Sequence, residues 1–173
     1  MTLCKLIYKI LNKSSYVKMP NWCNYSLLTL FLKPIRKFLT VIIIPVIPFN
    51  LIRIYLYKVC GFKIGTHVFI GMRCYLDDMC YNLLSIGNNV TISYGVYFAC
   101  HGRNQLHLPI IIEDGVYIGM RATIISKNSH QENKGIRIGK KAIVGACTLV
   151  NKDIPDGATV VEIPCKVIKN SNA

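Results

Sequence analysis

From Ile64 onward an apolar residue returns at every sixth position. Written in sixes, the chain runs IGTHVF, IGMRCY, LDDMCY; after NLLS, IGNNVT, ISYGVY, FACHGR; after NQLHLPII, IEDGVY, IGMRAT, IISKNS; after HQENKGIR, IGKKAI, VGACTL, VNKDIP. All twelve first positions are apolar: Ile64, Ile70, Leu76, Ile86, Ile92, Phe98, Ile112, Ile118, Ile124, Ile138, Val144 and Val150. The fifth position is mostly small or β-branched, as at Val68, Cys74, Val90, Val96, Val116, Ala122, Ala142 and Thr148, and the second is often glycine. A half-buried strand alternates at every second residue and a helix repeats about every 3.6, so neither explains this beat. A triangular parallel β-helix does. Three short strands make one coil, each first-position side chain enters the prism, and the fifth must be small because the corner is tight. Stacked coils pair their backbones and bury a continuous column, each aliphatic contributing about 1.5–3 kcal/mol when fully buried. The pattern predicts an all-β prism of four coils starting at residues 64, 86, 112 and 138, with four, eight and eight extra residues ejected at corners.

Upstream the pattern is helical. Leu3, Leu6, Ile7, Ile10 and Leu11 form a stripe within residues 1–20, with lysines elsewhere, and Pro20 ends it. A second apolar stretch covers residues 25–44 and stops at PVIP; Asn50 reads as the N-cap of a helix over LIRIYLYKVC, closed by Gly61. The longest uncharged run, residues 38–52, contains Pro45 and Pro48 and is shorter than the roughly 20 apolar residues that span a bilayer. A secretory signal is not expected, since no charged start runs into an apolar stretch with a small-residue cleavage site. The expected division is therefore a basic apolar helical leader at 1–63, a β-helix domain at 64–168 and a tail at 169–173.

Charge sharpens that division. Residues 1–63 carry ten Lys or Arg and no acid, the first carboxylate being Asp77, whereas residues 64–173 carry eleven basic and eight acidic residues; the net charge is +13. Each cation near an anionic leaflet adds about 1 kcal/mol of attraction, so the leader reads either as a peripheral membrane contact or as a helical cap buried on the scaffold. Its cations are interleaved with aliphatics rather than exposed aromatics and polar groups, which argues against nucleic acid. The eight cysteines form no CxxC pair, and most read as reduced, buried residues of a cytoplasmic protein, with any membrane contact on the inner face.

Residues 64–168 resemble the left-handed β-helix acyltransferases with hexapeptide repeats. The closing VNKDIPDGATVVEIPCKVIK resembles the end of the maltose, galactoside and xenobiotic O-acetyltransferases. The leader, ending in GFKIGTHVFIG, resembles that of bacterial polysaccharide and capsule O-acetyltransferases. The resemblance implies a homotrimer with active sites between neighbouring prisms. It also implies acetyl-CoA as acyl donor, no metal requirement, and a sugar or surface-polysaccharide hydroxyl as acceptor.

In that family one histidine at the start of a loop acts as general base, and His101, directly after SYGVYFAC, occupies the matching position. The chemistry needs such a group. A thioester already carries an activated acyl, but a sugar hydroxyl is a poor nucleophile until a base with pKa near 7 takes its proton, a contribution of about 10²–10⁴-fold. His107, late in the same loop, competes by resemblance to the serine acetyltransferases. His130 reads as solvated, and His67 has no motif around it. Asp77 breaks the second-position glycine habit one coil below FACHGR; it reads as a carboxylate that orients the imidazole or binds the acceptor, or as a surface acid, with Asp78 beside it. Alignment with the galactoside-type enzymes implies CoA contacts at Met120, Ala146, Asn151, Lys152, Lys166 and Lys169, the lysines meeting phosphate as point charges. Two features depart from that pattern: Val161-Glu162 replaces an Ala-Gly pair, and the loop between Gly102 and Ile111 is shorter.

Two rival readings follow. YIGMRATII resembles a stretch of the γ-type carbonic anhydrases, zinc enzymes that need three histidines, here His67, His101 and His107. The alternative is a non-catalytic β-helix serving as a membrane-bound assembly platform.

Overall fold

The computed structural model describes residues 27–101, 107–126 and 134–169. The amphipathic stretch expected at 1–20, His130 with its polar loop, and residues 170–173 lie outside the described residues.

Three sheets of very short strands wrap one prism. The first face stacks β1 (Lys63–Ile64), β3 (Leu84–Ile86), β6 (Ile110–Ile112) and β9 (Ile136–Ile138). The second stacks β2 (Phe69–Ile70), β4 (Thr91–Ile92), β7 (Tyr117–Ile118), β10 (Ile143–Val144) and β12 (Thr159–Val161), and the third β5 (Tyr97–Ala99), β8 (Thr123–Ile125) and β11 (Leu149–Val150). All these pairings are parallel, and first-position residues align in register, as in Ile64–Ile86–Ile112–Ile138 and Phe98–Ile124–Val150. Every first-position residue and every fifth-position residue named above is buried. The chain is a left-handed β-helix with short N-terminal helices.

Local chemistry explains the corners. A Cβ at Gly119 would lie 2.5 Å from the Ala146 amide of the next coil, so the second position must stay bare where coils stack this closely. His67, Asn89 and Lys141 at the first corner, and Arg73, Arg121 and Cys147 at the second, adopt positive φ. Coil-to-coil bonds offset the cost, for example Lys141 N–H to Asp114 O and Cys147 N–H to Met120 O, both 2.9 Å.

The expected ejection of all spacer residues is corrected: Leu84, Ile110 and Ile136 belong to first-face strands and are buried. A strand already carrying one inward aliphatic admits another two residues earlier. The prism also runs past the fourth coil. Ile154 bridges Ile138, β12 pairs with β10, and β13 (Lys166–Lys169) closes the second sheet antiparallel to β12.

At the other end lie α1 (Leu27–Phe38), a π-helical turn (Leu39–Ile43), a 3₁₀ turn (Ile44–Val46) and α2 (Asn50–Val59). Asn50 is the first residue of α2 rather than its cap, and its amide does different work. Nδ2 donates to Val68 O at 3.1 Å, and Oδ1 accepts from Ile70 N at 3.0 Å, reproducing the neighbour strand that β2 lacks. Buried Arg53 donates to the carbonyls of Ile47 and Ile70, and Arg73 N donates to Pro45 O at 2.8 Å. A sheet end covered by a helix must have its backbone groups satisfied; side chains of α2 do so here. Among the described residues no helix is long and apolar enough to cross a membrane.

Candidate active site

At the third corner the regular wall opens. β5 ends at Ala99, Cys100 and His101 turn off the face, and the chain returns at His107, which bridges antiparallel to His101. Leu108 N–H donates to Cys100 O at 3.0 Å. The loop therefore leaves and re-enters the prism through a neck made of its two histidines.

One coil below, Asp77 is fully buried. Its Oδ2 lies 2.6 Å from His101 Nδ1 and accepts the backbone N–H groups of Cys100 (2.8 Å) and His101 (3.1 Å). Its Oδ1 accepts from Met79 N (3.0 Å) and Cys80 N (3.3 Å). Four backbone donors thus fix the carboxylate before the imidazole arrives. With both carboxylate oxygens acting as acceptors, Nδ1 carries the proton and the lone pair of His101 is on Nε2. The His101 side chain is 36% exposed, so a held base reaches solvent from a rigid element. The sequence placed Asp77 below the loop but left its partner open; the geometry pairs it with His101.

Asp78 points elsewhere. Its Oδ1 accepts the Tyr75 hydroxyl at 2.8 Å, and Tyr75 stacks on Tyr97 with ring centroids 4.5 Å apart. Burial first, and then Asp78, push the Tyr75 hydroxyl pKa upward.

His107 has a partner that sequence reasoning missed. Cys80 Sγ lies 3.0 Å from His107 Nδ1. Burial, followed by the charges of Asp77 and Asp78, pushes the Cys80 thiol up to about 11, so at neutral pH it pairs with the imidazole as a thiol rather than a thiolate. The two imidazoles of the neck are thus each held through Nδ1, His101 by Asp77 and His107 by Cys80. The available signal was the register: Cys80 sits in the hexad directly beneath FACHGR, but the fifth-position rule explained it as packing alone.

The other candidates are spread over the prism. Met120 and Ala146 are exposed at the second corner on successive coils. Asn151 and Lys152, both half-buried, follow β11 at the third corner, two coils above His101. Lys166 and Lys169 lie exposed on β13 of the second face, and Lys166 Nζ is 2.8 Å from Glu162 Oε2. Glu162, the departure noted in the sequence, therefore holds one of the lysines assigned to phosphate. His67 is exposed at the first corner, away from the histidine neck. Among the described residues no group of three or more His, Cys, Asp or Glu is placed to hold a metal ion.

Comparison with known proteins agrees with this geometry. The family model for the hexapeptide repeat of succinyl-transferase matches residues 61–98 and 109–152, and its interruption coincides with the histidine loop. "Putative acetyltransferase YvoF" of Bacillus subtilis is 32% identical over 143 residues, 80% of this chain and 78% of that protein. The 2,3,4,5-tetrahydropyridine-2,6-dicarboxylate N-acetyltransferase of Staphylococcus aureus is 42% identical over 83 residues, 48% of this chain; the match spans only 31% of that relative's length. The hexapeptide-repeat acetyltransferase VCA0836 of Vibrio cholerae superposes with a TM-score of 0.66 at 22% identity, covering 84% of this chain and 93% of that one. Its complex with acetyl coenzyme A gives a TM-score of 0.66 at 20% identity, covering 92% and 97%. At that identity the superposition shows a shared fold. With the repeat, the prism and a similarity that spans 80% of the chain together, the chain belongs to the hexapeptide-repeat acetyltransferase family.

Proposed function

We propose that the protein is a homotrimeric, acetyl-CoA-dependent O-acetyltransferase whose acceptor is a sugar hydroxyl of a bacterial surface polysaccharide or its precursor. The observation that carries the reading is the 2.6 Å contact between a buried, fully hydrogen-bonded Asp77 and His101 Nδ1. Family membership supports the acyl donor, as does the acetyl coenzyme A complex of the Vibrio cholerae relative.

In this reading His101 Nε2 takes the acceptor O–H proton as the oxygen bonds to the thioester carbonyl carbon. Collapse of the tetrahedral intermediate breaks the C–S bond, and the departing sulfur receives that proton from the imidazolium. The products are an acetyl ester and CoA thiol. Asp77 holds the ring and stabilises its charged form. His107 flanks the same neck and binds the acceptor. Met120, Ala146, Asn151, Lys152, Lys166 and Lys169 are the residues assigned to the donor by resemblance, the small ones to the pantetheine and the lysines to the phosphates.

The test is acetyl-CoA turnover by purified protein with sugars and with amines, products being identified by mass and by lability to hydroxylamine. Hydroxylamine-labile acetyl esters are expected. Stable amides alone would replace the hydroxyl acceptor with an amine, the chemistry named for the Staphylococcus aureus relative.

A further inference from the structure

Helix α2 is apolar on the side that has no neighbour among the described residues. Its inward residues, Asn50, Arg53 and Tyr57, cover the end of the prism. Its outward stripe, Leu51, Tyr55 and Val59, recurs at every fourth residue and is 82%, 67% and 67% exposed, with Phe49 and Ile52 exposed beside it. A soluble surface helix carries charge there. The preceding segment repeats the anomaly, exposing Leu32, Ile35, Phe38, Leu39, Ile42 and Val46. Isolated exposed aliphatics need no explanation, but successive ones on consecutive elements mark an interaction surface.

Charge selects the occupant. The first 63 residues carry ten cations and no carboxylate. Apposing this face to itself in a second copy would bring like charges together, which costs energy. An anionic leaflet supplies the opposite sign and an apolar interior, and it attracts each Lys or Arg near it. Exposed Lys37 and Lys58 flank the apolar residues, Lys58 Nζ donating to Gly65 O at 3.1 Å, so cationic charge borders a surface whose rings and aliphatics suit the acyl boundary. The layer is also fastened to the body. The Arg36 guanidinium lies 3.7 Å over the Tyr81 ring, and Lys37 Nζ is 4.0 Å from Asp78, both contacts falling just after Asp77.

We propose that the outward apolar faces of α1 and α2 form a docking surface for an anionic lipid membrane. The full chain docks in the interface plane, without crossing it. The proposal does not depend on acyl transfer, and its test reads no catalysis.

The experiment is co-sedimentation of the full-length protein with vesicles of phosphatidylcholine alone or with added phosphatidylglycerol. The comparison variant is Leu51→Glu/Tyr55→Glu/Val59→Glu, with the Ser counterparts as a milder second variant. These side chains are exposed, so unfolding midpoints should match wild type. Wild type should bind phosphatidylglycerol vesicles at least about tenfold more than neutral ones, less so at high salt, and the Glu variant should lose about tenfold or more. The Ser variant should fall between them. Three results would overturn the proposal: wild type staying in the supernatant with anionic vesicles, both variants binding as wild type does, or a change in oligomer mass in the variants, which would make this a contact between copies.

Discussion

Asp77 reaches His101 from one coil below, its Oδ2 2.6 Å from Nδ1, while four backbone N–H groups hold the same carboxylate. The imidazole is the fifth and outermost donor. The site is therefore built from the inside out, with the carboxylate fixed by the wall and the histidine fixed by the carboxylate.

Asp77→Asn should separate orientation from packing. The amide is the same size but offers only one acceptor oxygen, and its NH₂ faces donors. Acetyl transfer should fall about 10²-fold or more while acetyl-CoA affinity holds. An unchanged rate would make Asp77 a structural carboxylate.

Removal of Arg53 should be costly and removal of the Tyr57 hydroxyl should not. Arg53→Met leaves the Ile47 and Ile70 carbonyls without their buried donor, and charged hydrogen bonds contribute about 1.5–3 kcal/mol each. A loss of about 3 kcal/mol or more in urea unfolding is expected. The Tyr57 hydroxyl is buried without a partner among the described residues. Tyr57→Phe should therefore unfold at the same midpoint or higher, by up to about 1 kcal/mol.

Stability should fall in alkali through Cys100. Burial first, and then Asp77, push its thiol up to about 12 from an ordinary 9.0. Above about pH 9 the unfolded chain releases a proton that the folded chain retains, so this contribution is whole below pH 9 and lost as pH rises towards 12. Urea midpoints measured between pH 8 and pH 11 should decline less steeply in Cys100→Ala than in wild type. Identical slopes would contradict the assignment.

The prism was legible because its signal is repeated. Twelve first positions and eight fifth positions point inward from a small fixed geometry, so errors at one coil are corrected by the next. The spacers were not legible in that way. Leu84, Ile110 and Ile136 are strand residues that a strict six-residue frame assigned to loops, since a frame cannot see a strand lengthening backwards. Asn50 reads in the sequence as a helix cap and Arg53 as a helix residue, and only the open end of β2 explains what their side chains do. In the candidate site, His101 and Asp77 stood out by position and residue type. The Cys80–His107 pair did not, because a small apolar residue was already expected at Cys80 and the contact forms only when Leu108 returns to Cys100.

The most direct test of the central claim is the turnover number of His101→Ala beside His107→Ala, with acetyl-CoA affinity measured calorimetrically on each. With His101 as the base, His101→Ala loses about 10²-fold or more in turnover while still binding acetyl-CoA, and His107→Ala loses less, mainly through acceptor KM. If His101→Ala turns over at the wild-type rate, the Asp77–His101 pair is architecture and the base lies elsewhere.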